Sequence, residues 1–292
     1  MKVSVVIPAW NAAAFIERTL DTVKAQTFAD YEVIVVDDGS GDDTKGVVDR
    51  WLERTGTAGR CIRQANKKIA GARNTGMRAA QGELIALLDH DDLWYPEKLA
   101  ACVEALTPDV DLVCHWEKVV KDGALVRVAQ NGPAEAATYE ALLFQGNALS
   151  PSASVFRREK ALAIGGFRED EQFNTVEDYD FWMRLSRTAR FKFIEKVLGE
   201  YQVVERAASR RVVYHHDNTE ALLRDHFKSL APTLRNRWRM RRRLAAVHRS
   251  ALGQLLERGE DADLRRRYAL RMLSTFPCDP KNLYRALQWA LT

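Results

Sequence analysis

The chain is 292 residues long, and its 46% hydrophobic and 29% charged residues are ordinary for a globular protein. That length accommodates one large α/β domain with an appendage, or two modest domains. No stretch approaches the roughly 20 apolar residues of a membrane-spanning helix, and the strand-like amino terminus is too short for a signal peptide. Four cysteines without a Cys-x-x-Cys pair argue against structural zinc and a disulfide framework. We therefore expect a cytoplasmic protein in a reducing compartment.

The net charge of +4 is distributed unevenly along the chain. Residues 231–272 contain twelve arginines and four acidic residues, so this segment carries +8 and the remainder −4. We interpret it as a separate, helical, basic appendage.

Strand and helix patterns alternate through the first third of the chain. Apolar runs and helical spacing predict strands at 3–7, 31–36, 60–64 and 83–89, and helices at 15–23, 42–52 and 71–80. This alternation is typical of βαβ units, and therefore of a Rossmann-like, mostly parallel α/β sheet flanked by helices. Further along, the sequence predicts a strand from Asp111, a hairpin at 121–123, helices at 139–144 and 177–188, and a turn at 165–167.

The chain is organised around one buried strand that ends in acidic residues. Residues 84–88 are continuously apolar, as in a central parallel strand, and Asp89, Asp91 and Asp92 follow directly. Ligands of such sheets bind beyond the carboxyl ends of the strands, where two carboxylates reach one Mg²⁺ or Mn²⁺ ion. The same acids also suit the cap of a helix that starts at Pro96, and the pattern alone does not separate the two interpretations.

Two further acidic pairs lie at predicted element ends. Asp37 and Asp38 follow the second strand, and Glu177 and Asp178 open a late helix. Each pair alone is explained most simply as a turn or cap. The glycine-rich loops that usually hold dinucleotides or phosphates are absent from the sequence, so a metal ion is the expected substitute.

Six motifs resemble those of family 2 glycosyltransferases and occur in the same order. They are Val-Ile-Pro-Ala-Trp-Asn (6–11), Val-Val-Asp-Asp-Gly-Ser-Gly-Asp-Asp-Thr (35–44), Ala-Arg-Asn-Thr-Gly (72–76), Leu-Leu-Asp-His-Asp-Asp-Leu-Trp (87–94), Gly-Gly-Phe (165–167) and Glu-Asp-Tyr-Asp-Phe-Trp-Met-Arg-Leu (177–185). The resemblance covers about residues 1–205 and leaves 206–292 as a helical basic C-terminal region. It implies a GT-A fold, a nucleotide-sugar donor, a divalent cation and inversion at the anomeric carbon.

The resemblance also implies where the donor binds. Pro8, Trp10 and Asp38 would surround the nucleobase, with Asp38 accepting from a base N–H. A pyrimidine donor, UDP- or dTDP-linked, suits that contact. Arg73 would lie near the nucleotide, where its planar fork meets base or phosphate oxygens.

The metal and the base follow from the same resemblance. Asp91 is implied as the direct ligand of Mn²⁺ or Mg²⁺, and Asp89 is implied to lie nearer the ribose or just outside the direct ligands of the metal. Asp178 is implied as the general base that deprotonates the acceptor hydroxyl. Glu177 orients Asp178 or binds the acceptor, and Trp182 is a candidate aromatic contact for the acceptor sugar.

One motif departs from the family pattern. Members often continue with Tyr-Arg-x-His, whereas this chain reads Tyr-Gln-Val-Val at 201–204. The missing histidine is either not replaced or supplied by His215 or His216, which we expect to be solvated.

Two other function classes remain open at this stage. One is a nucleotidyltransferase using the same carboxylates and metal, and the other is a protein that binds nucleotides without transferring sugar. We expect a glycan or lipid-linked acceptor and no nucleic acid, and leave a homodimer open. The basic segment 231–272 either binds an anionic surface, at the inner face of the cell membrane, or is a solvated helical tail.

Overall fold

The computed structural model describes residues 2–203, 212–259 and 261–291. The chain divides into two compact units. The first comprises Met1–Leu142, Asn147–Glu169 and Glu177–Val204, and the second comprises Leu143–Gly146, Asp170–Val176 and Glu205–Thr292. The division predicted between residues 205 and 206 lies outside the described residues.

The elements follow the predicted alternation of strands and helices. The strands are β1 (Val3–Ala9), β2 (Tyr31–Asp37), β3 (Gly59–Arg63), β4 (Leu84–Leu87), β5 (Leu93–Trp94), β6 (Leu112–Lys121), β7 (Ala124–Ala129), β8 (Ser154–Arg157) and β9 (Phe191–Gln202). The helices are α1 (Ile16–Lys24), α2 (Thr44–Thr55), α3 (Lys68–Ala79), α4 (Lys98–Ala105), α5 (Tyr139–Gln145), α6 (Arg158–Ala163), α7 (Glu177–Leu185), α8 (Val212–Phe227), α9 (Leu234–Glu257), α10 (Ala262–Thr275) and α11 (Pro280–Ala290).

One sheet runs through the first unit in the order β3-β2-β1-β4-β8-β6-β9-β5, with β7 paired to β6. Strands β3, β2, β1 and β4 are parallel, which confirms the Rossmann-like half of the prediction. Beyond β4 the sheet is mixed, because β8 runs antiparallel to both β4 and β6 while β9 runs parallel to β6. The α/β architecture with flanking helices is confirmed, and a helical C-terminal region follows it.

Several predicted boundaries shift by a few residues. Strand β4 ends at Leu87, so Asp89 stands two residues beyond the ladder, and α4 begins at Lys98 rather than at Pro96. Helix α7 ends at Leu185, earlier than predicted. The predicted hairpin between β6 and β7 is confirmed. Its turn residues Asp122 and Gly123 both have positive φ, as the right-handed twist of a two-residue hairpin requires.

The core of the first unit explains why β1 and β2 are largely apolar. All seven residues of β1 are buried, because the helices cover both faces of this part of the sheet. Helix α3 packs directly on β1 at Gly76, where a Cβ would lie 2.3 Å from Cγ1 of Val6. A glycine there allows the close approach of α3 to the sheet.

The second unit is helical and has its own small core. Buried residues from α8, α9 and α10 pack together, among them Leu252, Leu255, Tyr268 and Met272. Within the described ranges, none of the helices is both long enough and apolar enough to cross a bilayer.

Candidate active site

The Asp-His-Asp-Asp turn after β4 is fixed by its last residue. Asp92 is buried, and its Oδ1 accepts from the backbone N–H of Gln202 at 2.8 Å. Its Oδ2 accepts from Oγ of Ser152 at 2.5 Å, and that same Oγ accepts from the backbone N–H of Asp89 at 3.0 Å. Asp92 therefore anchors the turn. The sequence alone could not separate this role from metal binding, because Asp92 is one of three acidic residues in the same run.

Two further contacts orient the turn over the sheet edge. Oγ1 of Thr19 donates to the carbonyls of His90 and Asp92 at 2.9 and 3.0 Å. Nδ1 of His90 lies 3.1 Å from the carbonyl oxygen of Pro8. His90 thus acts as a spacer tied to β1, and Asp89 and Asp91 remain as half-buried carboxylates.

The carboxylates of Asp89 and Asp91 fit a hard divalent cation by their donor chemistry. Burial raises the pKa of Asp91; the positive potential of His90 opposes this shift, and the nearby negative charge of Asp89 adds to it. A bound cation would instead favour the charged form of Asp91. Among the described residues, no three His, Cys, Asp or Glu side chains are already grouped to hold a metal. Two carboxylates completed by phosphate oxygens and water are the usual arrangement for Mg²⁺.

Arg73 joins the Asp-x-Asp turn to the start of α7. Its side chain is only 2% exposed, and its Nη2 donates to Oδ1 of Asp89 at 2.8 Å. Its Nη1 donates to Oε1 of Glu177 at 2.7 Å. Burial would lower the pKa of Arg73, but the charges of Asp89 and Glu177 raise it overall, so the guanidinium stays protonated. A buried cation thereby ties the Asp-x-Asp turn to Glu177, which lies 104 residues after Arg73 in the sequence.

The two acids that open α7 differ in environment. Glu177 is buried, and burial raises its pKa to about 7 even though Arg73 opposes the shift. Asp178 is half-buried, and Nδ2 of Asn147 lies 3.3 Å from its Oδ2. Burial also raises the pKa of Asp178, and Arg73 lowers it. A carboxylate whose pKa is raised toward neutrality is a stronger base than a solvated one.

A second network holds Asp38 at the end of β2. Oδ1 of Asp38 accepts from Nε2 of Gln64 at 2.7 Å and from the backbone N–H of Lys67 at 2.8 Å. Oε1 of Gln64 accepts in turn from Oγ1 of Thr75 at 2.7 Å. Pro8 is buried in β1, whereas Trp10, just beyond β1, is 55% exposed and presents a free aromatic surface.

The comparison with protein families decides the assignment. The model of glycosyl transferase family 2 matches residues 4–165, which is more than half of the chain. The chain belongs to this family.

Relatives of this glycosyltransferase include proteins of known and unknown role. An uncharacterised glycosyltransferase of Nostoc sp. is 37% identical over 54% of this chain and 52% of its own length. The amylovoran biosynthesis glycosyltransferase AmsB of Erwinia amylovora is 31% identical over 71% of each chain. The chain thus matches only about half of the Nostoc protein.

Solved structures confirm the GT-A fold of this family 2 glycosyltransferase. Staphylococcus aureus TarS (residues 1–349) in complex with UDP aligns with a TM-score of 0.65 and 18% identity, over 94% of this chain and 89% of that chain. The mannosyltransferase PcManGT of Pyrobaculum calidifontis, in complex with GDP-Man and Mn²⁺, aligns with a TM-score of 0.61 and 22% identity, over 99% and 87%.

The structure gives two family motifs a structural role that the sequence did not reveal. Asn74 clamps the Gly-Gly-Phe turn, because its Nδ2 donates to the carbonyl of Phe167 and its Oδ1 accepts from the N–H of Phe167, both at 2.8 Å. Gly166 has φ +73°, and a Cβ there would lie 2.5 Å from Oδ1 of Asn74. Nη2 of Arg184 donates to the carbonyl of Gly166 at 2.7 Å, which ties α7 to the same turn.

Two expectations about individual side chains are corrected. Trp182 is fully buried between Phe156 and Phe181 and offers no surface to an acceptor sugar. His215 and His216 are less solvated than expected: His216 is buried, with Nδ1 2.8 Å from the carbonyl of Val212, and His215 is half-buried, with Nδ1 3.2 Å from Oγ1 of Thr175. Burial lowers the pKa of both, to about 4 for His216, so both are neutral at pH 7.

Proposed function

We propose that this chain transfers a sugar from a nucleotide-sugar donor to a hydroxyl of a glycan or lipid-linked acceptor, with inversion at the anomeric carbon. The observation that carries the proposal is the Arg73 bridge between Asp89 and Glu177, with Asp178 next in the chain. Arg73 holds Asp89, which we propose for the metal-bound diphosphate, close to Glu177 and Asp178, which we propose for the acceptor. The relative AmsB, named for amylovoran biosynthesis, supports a polysaccharide product.

The nucleobase end of the proposed donor site rests on Trp10 and Asp38. The exposed ring of Trp10 offers a stacking surface for a base. Oδ1 of Asp38 is held by Gln64 and Lys67, which orients the carboxylate so that Oδ2 can accept from a base N–H. That contact supports a UDP- or dTDP-linked donor, and buried Pro8 shapes the strand beneath it.

The diphosphate end rests on the Asp-x-Asp turn. Mn²⁺ or Mg²⁺ held by Asp91 and Asp89 would supply the positive charge that stabilises a departing nucleoside diphosphate. The chain's own contribution is rigidity, because Asp92, Ser152 and Thr19 fix the turn in advance. Arg73 holds Asp89 and adds a fixed positive charge close to the turn.

We assign the general base to Asp178 and the orienting role to Glu177. The proton of the attacking acceptor hydroxyl moves to the carboxylate of Asp178, whose raised pKa favours its capture. Glu177 is held by Arg73 through one oxygen, and among the described residues nothing pairs with its buried Oε2. Asp180 is excluded as the base because it is buried and pairs with Nε of Arg184 at 2.7 Å.

Calorimetry with Asp91→Asn tests this proposal. We expect UDP to bind the parent protein more tightly with Mn²⁺ than without, and the variant to lose that metal dependence. Asp122→Asn, at the exposed tip of the β6–β7 hairpin, is the matched control and should bind like the parent. Release of pyrophosphate without transfer of labelled sugar would identify a nucleotidyltransferase instead. Unchanged metal-dependent affinity in Asp91→Asn would remove Asp91 from the site.

A further inference from the structure

The last helix of the second unit carries its apolar residues on two faces. The inner face packs on the unit: Asn282 is buried and donates to the carbonyl of Phe276 at 2.7 Å, while Ala286 and Trp289 contact the core of α8–α10. The outer face consists of Leu283, Tyr284 and Leu287 on α11 and Leu291 at its end. These side chains are 51%, 64%, 64% and 88% exposed.

This outer face is the reverse of what a solvated helix shows. A surface helix normally buries its apolar stripe and turns charged residues outward. Here the spacing of i, i+1, i+4 and i+8 aligns four large apolar side chains along the exposed side. Leu270 of α10, at 53% exposure, is a further apolar residue at the surface of this unit. An exposed cluster of this kind indicates a surface that is covered by something else.

Helices α9 to α11 are together strongly basic. Residues 234–291 contain fourteen lysines and arginines and five acidic residues. The ring of Trp238, 51% exposed, packs edge-on against Phe276 at 5.5 Å. The guanidinium of Arg242 lies 5.5 Å from that ring and 3.9 Å from Asp279, which caps the first turn of α11. The arginine-rich start of α9 therefore borders α11.

We propose that α11 is an interfacial helix that docks on an anionic lipid bilayer, with Leu283, Tyr284, Leu287 and Leu291 inserted at the headgroup boundary. Amphipathic helices bind such interfaces by apolar burial combined with attraction of basic residues to anionic lipids. Trp238 and Tyr284 have the apolar body and polar tip that favour this depth. At eleven residues α11 lies on the membrane rather than crossing it.

Charge favours an anionic bilayer over a second copy of this chain as the partner of α11. A symmetric dimer through α11 would place the same arginine-rich border against itself or close to it, which costs energy. An anionic bilayer instead complements both the leucines and the arginines. The inference concerns the second unit alone and does not depend on the donor site.

Vesicle co-sedimentation of the full chain tests the proposal without donor or metal. Vesicles of phosphatidylcholine with phosphatidylglycerol are compared with phosphatidylcholine alone, at about 0.1 M and 1 M salt, where the Debye length falls from about 10 to 3 Å. We expect binding to the anionic vesicles at low salt. The double variant Leu283→Gln/Leu287→Gln should lower partitioning by at least about tenfold, since each leucine gives up its buried methylenes.

Matched controls separate apolar insertion from charge and from misfolding. Leu125→Gln, an exposed leucine on β7 in the first unit, should bind like the parent. Arg235→Gln/Arg237→Gln, at two exposed positions of α9, should weaken binding at low salt only. Circular dichroism should be unchanged in every variant, because the substituted side chains are exposed. Three results would overturn the proposal: no binding by the parent, parent-like binding by the double leucine variant, or a parent dimer that this variant converts to monomer.

Discussion

Replacing Arg73 by methionine removes the cation that joins the two halves of the proposed active site while keeping an aliphatic side chain on α3. The partners left behind are Glu177, with a side chain 5% exposed, and Asp89, at 22%. At a pH where Glu177 is ionised, breaking a buried ion pair by removing one partner costs about 3–5 kcal/mol, because the remaining charge is buried without compensation. For a unit of this size that loss lowers the melting temperature by roughly 6–20 °C.

The loss should depend on pH, with a sign set by Glu177. In the parent, burial raises the pKa of Glu177 from its ordinary value near 4.5 to about 7, so between these two pH values the folded state holds a proton that the unfolded state has released. Stability therefore falls as pH rises from 4.5 to about 7 and then levels off. Without Arg73 this pKa rises further, so the variant continues to lose stability above pH 7, by up to about 1.4 kcal/mol per pH unit.

Urea unfolding at pH 6 and pH 8.5 measures both effects. We expect Arg73→Met to be less stable than the parent at both values and the deficit to be larger at pH 8.5. Arg78→Met, an exposed arginine on the same helix, is the matched control and should unfold like the parent. If Arg73→Met unfolds like Arg78→Met, or if its deficit does not grow with pH, the buried bridge does not stabilise the site as described.

Two further predictions address the acids of α7. Asp178→Asn should keep the parent's affinity for donor and lower sugar transfer by about 10²–10⁴, the usual contribution of a positioned base; parent-like transfer would place the base elsewhere. Glu177→Gln should reduce the fall in stability between pH 5 and pH 7, because one of the groups that titrate there is gone; Glu117, whose pKa burial also raises to about 7, remains. Thermal unfolding across that range checks the second prediction, and an unchanged slope would assign the titration to another residue.

The sequence by itself determined the parallel half of the sheet and the family. The apolar runs of β1, β2 and β4, interrupted only by Ser4 and Glu32, are typical of strands that helices cover on both faces, and acidic residues stand at or just beyond the carboxyl ends of β2 and β4. The sequence alone therefore locates the acidic groups at 37–38, 89–92 and 177–178. The sequence did not determine the first residue of α4, because several residues near Pro96 satisfy the same local preferences.

The tertiary structure decided which acids share a cluster. Arg73, Asp89 and Glu177 lie on separate elements, and no local pattern encodes the register that brings them within 2.8 Å. Asp91 and Asp92 are adjacent and chemically identical, yet only Asp92 is buried, where hydrogen bonds from Ser152 and Gln202 hold it as an anchor of the turn. Local spacing determines which residues share one face of a helix or strand, whereas only tertiary packing determines which other element covers that face. For the same reason the inner and outer apolar faces of α11 became distinct only once α9 and α10 had covered one of them.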